Sequence, residues 1–260
     1  MRNSRPKISI ITVVKNGEGC LLKTIESVLK QTYSNIEYVV IDGNSEDNTK
    51  MMLSTNEDSI DLIVSDPDNS VYDGMNRGIE LSTGDYLTFL NCGDYYPTKD
   101  TIRIIFDETD NLNEDDIIYG NILLTNRMNT KIKTVTALPL TVDNLIREGT
   151  RTICHQAVFV KKEIVPYFDT SLKLIADLNW YFDLMDQNDS LRIKYKEMAV
   201  VCYRIGGLSS TKKLLAMLER IKIVHRRFGF KMVIKNLPYF LKPILYNIIS
   251  HFGLKKYPAI

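Results

Sequence analysis

The sequence has few cysteines, and none of them is placed in a familiar cysteine motif. Four cysteines occur in 260 residues, Cys20, Cys92, Cys154 and Cys202. They are far apart and form no CxxC pair, so neither a zinc site nor a thioredoxin-like redox motif is indicated. Isolated cysteines of this kind favour a reducing compartment.

Long apolar runs and targeting signals are also missing. No stretch reaches about 18 consecutive apolar residues, so no helix is predicted to span a bilayer. The N-terminus leads from basic residues directly into the strand-like run KISIITVV, without the apolar region and cleavage site of a signal peptide. We therefore expect a cytoplasmic protein with peripheral contact at the inner face of the cell membrane.

The common nucleotide-binding signatures are absent as well. The sequence contains no GxxxxGK[ST], and its first predicted strand is not followed by GxGxxG. A P-loop and a dinucleotide-binding Rossmann site are therefore unsupported. If this protein binds a nucleotide, it must hold the phosphates by other means.

The composition is that of a globular protein whose charge is unevenly distributed. Hydrophobic residues make up 44% and charged residues 25%, which excludes collagenous and prion-like chains. The net charge is +1, but residues 212–260 hold 11 basic residues and one acidic residue. Residues 1–211 then hold 22 basic and 31 acidic residues, a net charge of −9. We predict one domain over 1–211 and a basic helical extension over 212–260.

Short β-branched runs alternate with segments of helical periodicity, which predicts an α/β fold with a mainly parallel sheet. The predicted helix over 18–31 has one apolar face, formed by Leu21, Leu22, Ile25, Val28 and Leu29. A second helix is predicted near 178–187. The predicted strands are 7–14, 36–42, 60–65, 86–90, 116–124, 157–160 and 198–204.

Each of the first four predicted strands ends in a polar loop. The loop after the second strand reads DGNS, with Ser45 placed to cap the next helix. The third strand leads into SDPDNSVYDGMNRGI, and the fourth ends in NCGD. Ligands of open α/β sheets bind at the carboxyl ends of the strands, so these loops are expected to meet at one cleft. Their carboxylates suit Mg²⁺ or Mn²⁺ bridging a diphosphate.

Several short motifs occur in an order that resembles a known protein family. The segments KISIITVVKN, SVLKQTYSNIEYVVIDGNSEDNT, SDPDNSVYDGMNRGIELSTGDYLTFLNCGD, HQAVF, LIADLNW and YRIGGLSS resemble glycosyltransferase family 2, especially bacterial O-antigen and capsule transferases. The resemblance covers about residues 7–210. It implies a GT-A fold, a nucleotide-diphosphate sugar as donor, a divalent Mn²⁺ or Mg²⁺, and inversion at the anomeric carbon.

The resemblance also implies which residues bind the donor. Three of them, Thr12, Val14 and Asn16, belong to the first-strand loop that lines the nucleotide site. Asp42 matches the acid that contacts base and ribose, and Ser45 follows it. The alternative is that Asp42 and Ser45 only cap a turn and a helix.

A second donor segment resembles PDxGxYDAMNxG and contributes Asp68, Asp73 and Asn76. It departs from the family pattern at Ser70, where glycine is usual, and at Gly74, where alanine is usual. Neither departure removes a functional side chain. Alternatively, Asp73 only stabilises a helix N-terminus.

The metal motif is reduced relative to the family. Many relatives have DxDD or NSDD where this chain has Asn91, Cys92, Gly93 and Asp94. Asp94 is the predicted metal ligand, and the Asn91 amide oxygen contacts ligand or metal-bound water. Cys92 is interpreted as a small packed residue at the donor site. The alternative for the whole motif is a polar β-turn.

Inverting transfer also needs a general base, and the resemblance of IADLNW to an acid-containing family element assigns this role to Asp177. The alternative is that Asp177 caps the helix that follows, and both roles are compatible. His155, with Gln156, matches a CHQ element and is predicted to bind the donor or acceptor. Arg204, followed by Gly206 and Gly207, is predicted to border the diphosphate, or to lie in a surface loop.

The basic extension mixes apolar stripes with Lys and Arg, and Pro238 and Pro243 are expected to break it into short helices. This composition suits an anionic membrane surface. The alternatives are a helical cap packed on the body or an oligomer contact, and a homo-oligomer is left open. Nucleic-acid binding is disfavoured because no recognition motif is present.

Together these observations predict an inverting, metal-dependent transferase that moves a sugar, expected to be UDP-linked, to a lipid-linked saccharide. A sugar-1-phosphate nucleotidyltransferase is the second enzyme hypothesis, although its glycine-rich N-terminal signature is absent. A non-catalytic sugar-nucleotide sensor is the third, suggested by the reduced NCGD motif.

Overall fold

The computed structural model describes residues 5–106, 115–126, 128–151, 153–187, 190–206 and 212–251. Gly207 and the last nine residues of the predicted basic extension lie outside this part of the chain. The described residues form a central sheet of eight strands with helices on both faces. The predicted α/β class is therefore confirmed.

The first half of the sheet is parallel. Its strands are β1 (Ile8–Val14), β2 (Ile36–Asp42), β3 (Leu62–Ser65) and β4 (Tyr86–Phe89), and they lie side by side in the order β3, β2, β1, β4. Val14 is opposite Asp42, and Asp42 is opposite Ser65. The carboxyl ends of these strands thus lie at one edge of the sheet, as the sequence pattern predicted.

The second half of the sheet is mixed. Its strands are β5 (Ile117–Thr125), β6 (Lys131–Val135), β7 (Val158–Lys161) and β8 (Ile193–Arg204). Strand β7 lies antiparallel between β4 and β5, and β8 runs parallel to β5. Strand β8 begins earlier than predicted, and β6 was not predicted, because its mostly exposed residues lack an apolar alternation.

The seven α-helices of the described residues form two layers, one on each face of the sheet. Buried residues of α1, α2 and α4 belong to one hydrophobic cluster, and those of α3, α5, α6 and α7 belong to the other. The helices are α1 (Leu21–Leu29), α2 (Thr49–Thr55), α3 (Val71–Leu81), α4 (Thr101–Phe106), α5 (Val142–Glu148), α6 (Ala176–Met185) and α7 (Lys213–His251).

Strand β1 shows why the parallel strands read as continuous apolar runs. Ile8 and Ile10 enter one cluster, whereas Ile11 and Val13 enter the other. Successive side chains of a strand point to opposite faces, and both faces of this sheet are covered by helices. A strand in this position must therefore be apolar at almost every residue.

Two predicted helix starts were wrong. The first helix begins at Leu21 rather than 18, and Leu22 and Leu29 of its predicted apolar face are 45% and 41% exposed. Ser45 does not cap a helix, because α2 begins at Thr49. The Ser45 hydroxyl instead forms tertiary hydrogen bonds, described below.

The C-terminal helix also differs from its prediction. Its backbone continues through Pro238 and Pro243, and the break lies at Gly229, whose φ of 78° and ψ of 172° are not helical. Glycine adopts this positive φ without the steric cost that a Cβ adds. Buried residues on both sides of the break, including Val224 and Phe240, join the core cluster, so α7 packs on the body. No helix in the described part of the chain has the length and hydropathy to cross a bilayer.

Candidate active site

Most of the predicted site residues lie near the carboxyl edge of the parallel strands, and two groups of them are joined by polar contacts. The first group, here called the β2-edge group, consists of Asn16, Asp42, Ser45, Ser65 and Asp68. The second, here called the central cluster, consists of Asn91, Asp94, His155, Gln156, Asp177 and Arg204. Each group is built from residues that are distant in sequence.

Asp42 organises the β2-edge group. It is fully buried, and it accepts hydrogen bonds from the Ser45 amide at 3.1 Å, the Ser45 hydroxyl at 2.5 Å and the Ser65 hydroxyl at 2.6 Å. Ser45 Oγ accepts from the Asn16 amide at 2.7 Å, and Asn16 Oδ1 accepts from the Glu46 amide at 2.9 Å. These bonds hold the loops after β1, β2 and β3 together. Ser65 was not predicted, because an isolated serine at a strand end carries no signal of its own.

Asp68 lies against the backbone of the β2 loop. A Cβ at Gly43 would stand 2.6 Å from the Asp68 carboxylate oxygens, so glycine is required for this approach. Burial raises the pKa of Asp68, the charges of Asp73 and Asp42 act in the same direction, and Lys15, at 3.8 Å, opposes them. The β2 edge therefore concentrates negative charge that a cation or a hydroxyl-bearing ligand can relieve.

The two predicted donor-binding residues on α3 are bonded to other protein groups, Asp73 to a neighbour in sequence and Asn76 to a distant segment. Asp73 Oδ2 accepts from the Asn69 amide at 3.2 Å and from its side chain at 3.0 Å. The Asn76 side chain donates to the Phe168 carbonyl at 3.0 Å and accepts from the Phe168 amide at 2.7 Å. Asn76 thus anchors the segment that precedes α6.

Thr12 and Val14 lie below the edge, within the core. Thr12 is fully buried, and its hydroxyl donates to the Leu90 carbonyl at 2.7 Å and lies 3.1 Å from the Tyr38 hydroxyl. The Val14 side chain is 2% exposed. Of the three predicted residues of the first-strand loop, Asn16 is the one with an exposed side chain.

Asp94 is the buried acid of the central cluster. Its Oδ2 accepts from the Gln156 side-chain amide at 2.6 Å, and its Oδ1 accepts from the Arg204 backbone amide at 2.6 Å. Burial raises the pKa of Asp94 to about 7, although these bonds and the nearby charges of His155 and Arg204 act to lower it. Two neutral hydrogen-bond donors do not compensate a carboxylate for the water it loses.

Gln156 links Asp94 to the end of strand β4. While its amide nitrogen donates to Asp94, its Oε1 accepts from the Asn91 backbone amide at 2.6 Å. Gln156 was noted in the CHQ element but was not among the predicted site residues. That element was the signal that could have identified it. Asn91 Nδ2 lies 3.3 Å from His155 Nε2, while the buried Asn91 Oδ1 has no hydrogen-bond partner among the residues that the structure describes.

His155 joins this network to Asp177. Its Nδ1 is 3.4 Å from Asp177 Oδ2, and Asp177 Oδ1 accepts from the Leu178 amide at 3.0 Å. Helix α6 begins at Ala176, so Asp177 lies in the first turn rather than at the N-cap. Asp177 is 9% exposed, which places the carboxylate at the margin of the core.

A cleft of about 490 Å³ opens beside the central cluster. Residues of its wall include Cys20, Lys23, Gly93 and Arg204. The Cys92 sulfur lies 3.0 Å from the Cys20 sulfur. The hydrogen bond from the Cys92 thiol lowers the pKa of Cys20 to about 6, and the charge of Arg204 contributes.

The oxygen atoms of the central cluster meet part of what a divalent cation requires. No group of three or more His, Cys, Asp or Glu side chains in the described residues is placed to hold a metal. The cluster nevertheless contains the Asp94 carboxylate, which a cation would stabilise in its ionised form, and the unpartnered Asn91 Oδ1. These two oxygen donors fit Mn²⁺ or Mg²⁺ when a diphosphate and water supply the remaining ligands.

Comparison with known proteins identifies relatives over nearly the whole chain. A family model described as Glycosyl transferase family 2 matches residues 9–175. A PGL/p-HBAD biosynthesis glycosyltransferase of Mycobacterium bovis is 31% identical over 238 residues, which cover 88% of this chain and 89% of that protein. An uncharacterized glycosyltransferase of Rickettsia typhi is 26% identical, over 87% of this chain and 73% of that protein.

Solved structures match the fold. Staphylococcus aureus TarS 1-349, also solved with UDP-GlcNAc, has a TM-score of 0.65 at 16% identity and covers 94% of this chain and 74% of that chain. The mannosyltransferase PcManGT of Pyrobaculum calidifontis, in complex with GDP-Man and Mn²⁺, has a TM-score of 0.63 at 13% identity, covering 99% and 78%. At these identities the match concerns architecture, and it confirms the predicted GT-A fold.

Proposed function

Because this chain belongs to glycosyltransferase family 2, we propose that it is an inverting enzyme that transfers a sugar from a nucleotide-diphosphate donor to a hydroxyl group of a lipid-linked saccharide. One observation carries this assignment. His155 stands between Asp177 and Asn91, and Gln156 connects the Asn91 backbone to Asp94. The predicted base and the predicted metal ligand are thus connected by a chain of polar contacts, with hydrogen bonds from Asp94 through Gln156 to Asn91 and an ion-pair distance of 3.4 Å between His155 and Asp177.

Asp177 acts as the general base in this proposal. The acceptor hydroxyl attacks the anomeric carbon opposite the leaving diphosphate, and Asp177 removes the hydroxyl proton as the new bond forms. One displacement of this kind inverts the configuration of that carbon. The Leu178 amide and the His155 ring hold the carboxylate in position, since each contacts one of its oxygens.

Asp94 and Asn91 are the residues that would hold the cation, as Mn²⁺ or Mg²⁺. When bound, the metal neutralises charge that develops on the leaving diphosphate. PcManGT was solved with GDP-Man and Mn²⁺, which supports a divalent metal in this fold. The Arg204 side chain, on the cleft wall, is placed to share the neutralisation of phosphate charge.

The β2-edge group is assigned to the nucleoside. In this assignment the part-exposed Asp68 carboxylate accepts hydrogen bonds from base N–H or ribose hydroxyl groups, the buried Asp42 holds Ser45 and Ser65 in place beside it, and Asn16 adds an exposed amide. Complexes of TarS with UDP and UDP-GlcNAc support a UDP-linked donor.

A lipid-linked acceptor agrees with the surface of α7. Phe230, Ile234 and Leu237 are 65%, 57% and 41% exposed, and their spacing of four and three residues places them on one helix face. Lys231 and Lys235 are exposed beside them. An apolar stripe flanked by lysines suits an anionic membrane surface, where each basic residue contributes about 1 kcal/mol.

Donor turnover tests the reaction class. Purified protein is incubated with a panel of nucleotide sugars and Mn²⁺, and we expect slow release of a nucleoside diphosphate from one of them. Release of pyrophosphate from a nucleoside triphosphate and a sugar phosphate would instead identify a nucleotidyltransferase. Thermal stabilisation by a donor without any turnover would identify a sensor.

Liposome flotation tests the membrane surface. The variant Phe230→Ser/Ile234→Ser is expected to bind vesicles containing anionic lipid more weakly than the unaltered protein. Met128→Ser is the matched control, because Met128 is 81% exposed but lies outside α7. Equal flotation of all three proteins would exclude this helix face from membrane binding.

A further inference from the structure

The closest contact between two cysteines in the described residues joins parts of the chain that are 72 positions apart. The sulfur atoms of Cys20 and Cys92 are 3.0 Å from each other, closer than two non-bonded sulfur atoms normally pack. Cys20 directly precedes helix α1, and Cys92 lies between Asn91 and Asp94 in the loop after β4. Both residues are free thiols of intermediate exposure.

The surroundings of this pair favour reaction. Cys20 lines the 490 Å³ cleft, so a small molecule can reach its sulfur from solvent. Arg204 lines the same cleft, and its positive charge favours the Cys20 thiolate. Gly17 packs closely against Cys92, since a Cβ on that glycine would stand 2.7 Å from the Cys92 sulfur. One thiol is therefore accessible, and the second is held against it.

We propose that Cys20 and Cys92 form a redox modification site, which small-molecule disulfides convert into an intramolecular disulfide bond. The Cys20 thiolate attacks one sulfur of the small disulfide and forms a mixed disulfide, and the first small thiol leaves. Cys92 loses its proton and attacks the Cys20 sulfur, which releases the second small thiol. The protein loses two electrons and two protons, and the small disulfide is reduced to two thiols.

The bond alters the candidate active site because of where Cys92 stands. A disulfide requires the sulfurs to move from 3.0 Å to about 2.05 Å. This movement pulls the loop that holds Asn91 and Asp94 towards α1. If the proposed function is correct, donor turnover falls by about 10²-fold, the loss that a displacement of about 1 Å causes in a catalytic site.

Mass spectrometry tests the site without reference to activity. The full-length protein is treated with oxidised glutathione, its remaining thiols are alkylated, and it is digested without reduction. We expect a peptide pair linked through Cys20 and Cys92, which dithiothreitol separates. Absence of this pair at glutathione concentrations that fully oxidise a reference dithiol would overturn the proposal, as would a stable mixed disulfide at Cys20.

Two variants connect the link to its effect. Cys20→Ser is expected to form no disulfide link and to show the same donor turnover before and after oxidation. Cys202→Ala, which removes a buried cysteine, is expected to form the Cys20–Cys92 link and to lose donor turnover on oxidation. Loss of turnover in oxidised Cys20→Ser would contradict the assigned mechanism. A link that forms in a protein without donor turnover would support the thiol site and count against the proposed transferase function alone.

Discussion

One buried carboxylate at each edge of the parallel sheet, Glu37 at one and Asp94 at the other, shows a pKa shifted in the opposite direction. Glu37, near the amino ends of the strands, is 8% exposed, and Asp94, beyond the carboxyl ends, is 6% exposed. Burial acts to raise the pKa of both. Hydrogen bonds from Lys7, Ser9 and Thr83 outweigh burial at Glu37 and bring its pKa to about 2. At Asp94, burial prevails and the pKa is about 7.

The difference lies in the partners. Glu37 has the Lys7 ammonium at 2.8 Å and the Thr83 amide at 2.7 Å, together with the hydroxyls of Ser9 and Thr83. Asp94 has two neutral N–H donors and no cation within ion-pair distance in the described residues. A buried carboxylate without a nearby positive charge lowers the stability of the folded state when it is ionised. Such carboxylates are frequent at functional sites. This contrast supports the proposed assignment of the carboxyl edge to ligand binding.

The largest effect is expected at the second acid of the carboxyl edge. Asp177→Asn should reduce transfer by about 10²- to 10⁴-fold while leaving donor binding intact, because the amide cannot accept the acceptor's proton. Transfer assays and donor-induced thermal stabilisation measure the two properties. Asp186→Asn is the control for loss of a charge, since that side chain is 71% exposed at the C-cap of the same helix and pairs with Arg227 at the opposite end from Asp177. Full transfer by Asp177→Asn would remove it from the mechanism.

The next effect separates the two buried acids directly. Asp94→Asn should lower donor turnover by about 10²-fold through loss of charge stabilisation. Its effect on the free energy of unfolding should be smaller than that of Glu37→Gln, because ionised Asp94 carries a burial penalty that asparagine lacks.

Glu37→Gln should lower the free energy of unfolding by about 1–3 kcal/mol, since it removes a charge-assisted hydrogen bond to Lys7. The folded fraction should keep its turnover, because Glu37 lies at the edge opposite the site. Denaturant unfolding and donor assays on both variants provide the comparison. If Glu37→Gln reduces turnover as strongly as Asp94→Asn, the two edges do not have separate roles.

The smallest effect concerns the pH dependence of stability. Folding raises the pKa of Asp94 from about 3.9 to about 7. The contribution of Asp94 to the free energy of unfolding is therefore fully present below pH about 4 and is lost as the pH rises to about 7. Glu37, with a lowered pKa of about 2, contributes above pH about 4.3 and loses this contribution as the pH falls towards 2. Unfolding experiments over both pH ranges check these contributions. Asp94→Asn should flatten the pH dependence of the free energy of unfolding in the first range, and Glu37→Gln should flatten it in the second.

Much of the architecture could be predicted from the sequence. Strand β2 was placed at its observed bounds, and β1, β4, β5 and β7 within one or two residues, because strands covered on both faces are continuously apolar. The family motifs placed Asn91, Asp94 and Asp177 at strand and helix ends. Such motifs do not predict which groups these side chains contact, and the roles assigned to the side chains remain predictions.

Other features depended on contacts between distant segments. The roles of Gln156 and Ser65 follow from hydrogen bonds that span 62 and 23 residues. The break of α7 at Gly229, rather than at Pro238, depends on how two helical segments pack against the body. The CHQ element and the glycine mark two of these positions in the sequence, but not the contacts that they make.

The sequence by itself determined the apolar strand segments, the acidic loops and the family. Apolar periodicity and turn residues act over a few neighbouring positions, so these features are visible without the tertiary structure. Tertiary structure alone decided that Glu37 receives hydrogen bonds from a lysine, an amide and two hydroxyl groups, that Asp94 receives fewer, and that the Cys20 sulfur contacts the Cys92 sulfur. The physical reason is that burial and hydrogen-bond supply depend on which segments the sheet register and helix packing bring together. The same carboxylate chemistry therefore stabilises the fold at one edge and remains available for a ligand at the other.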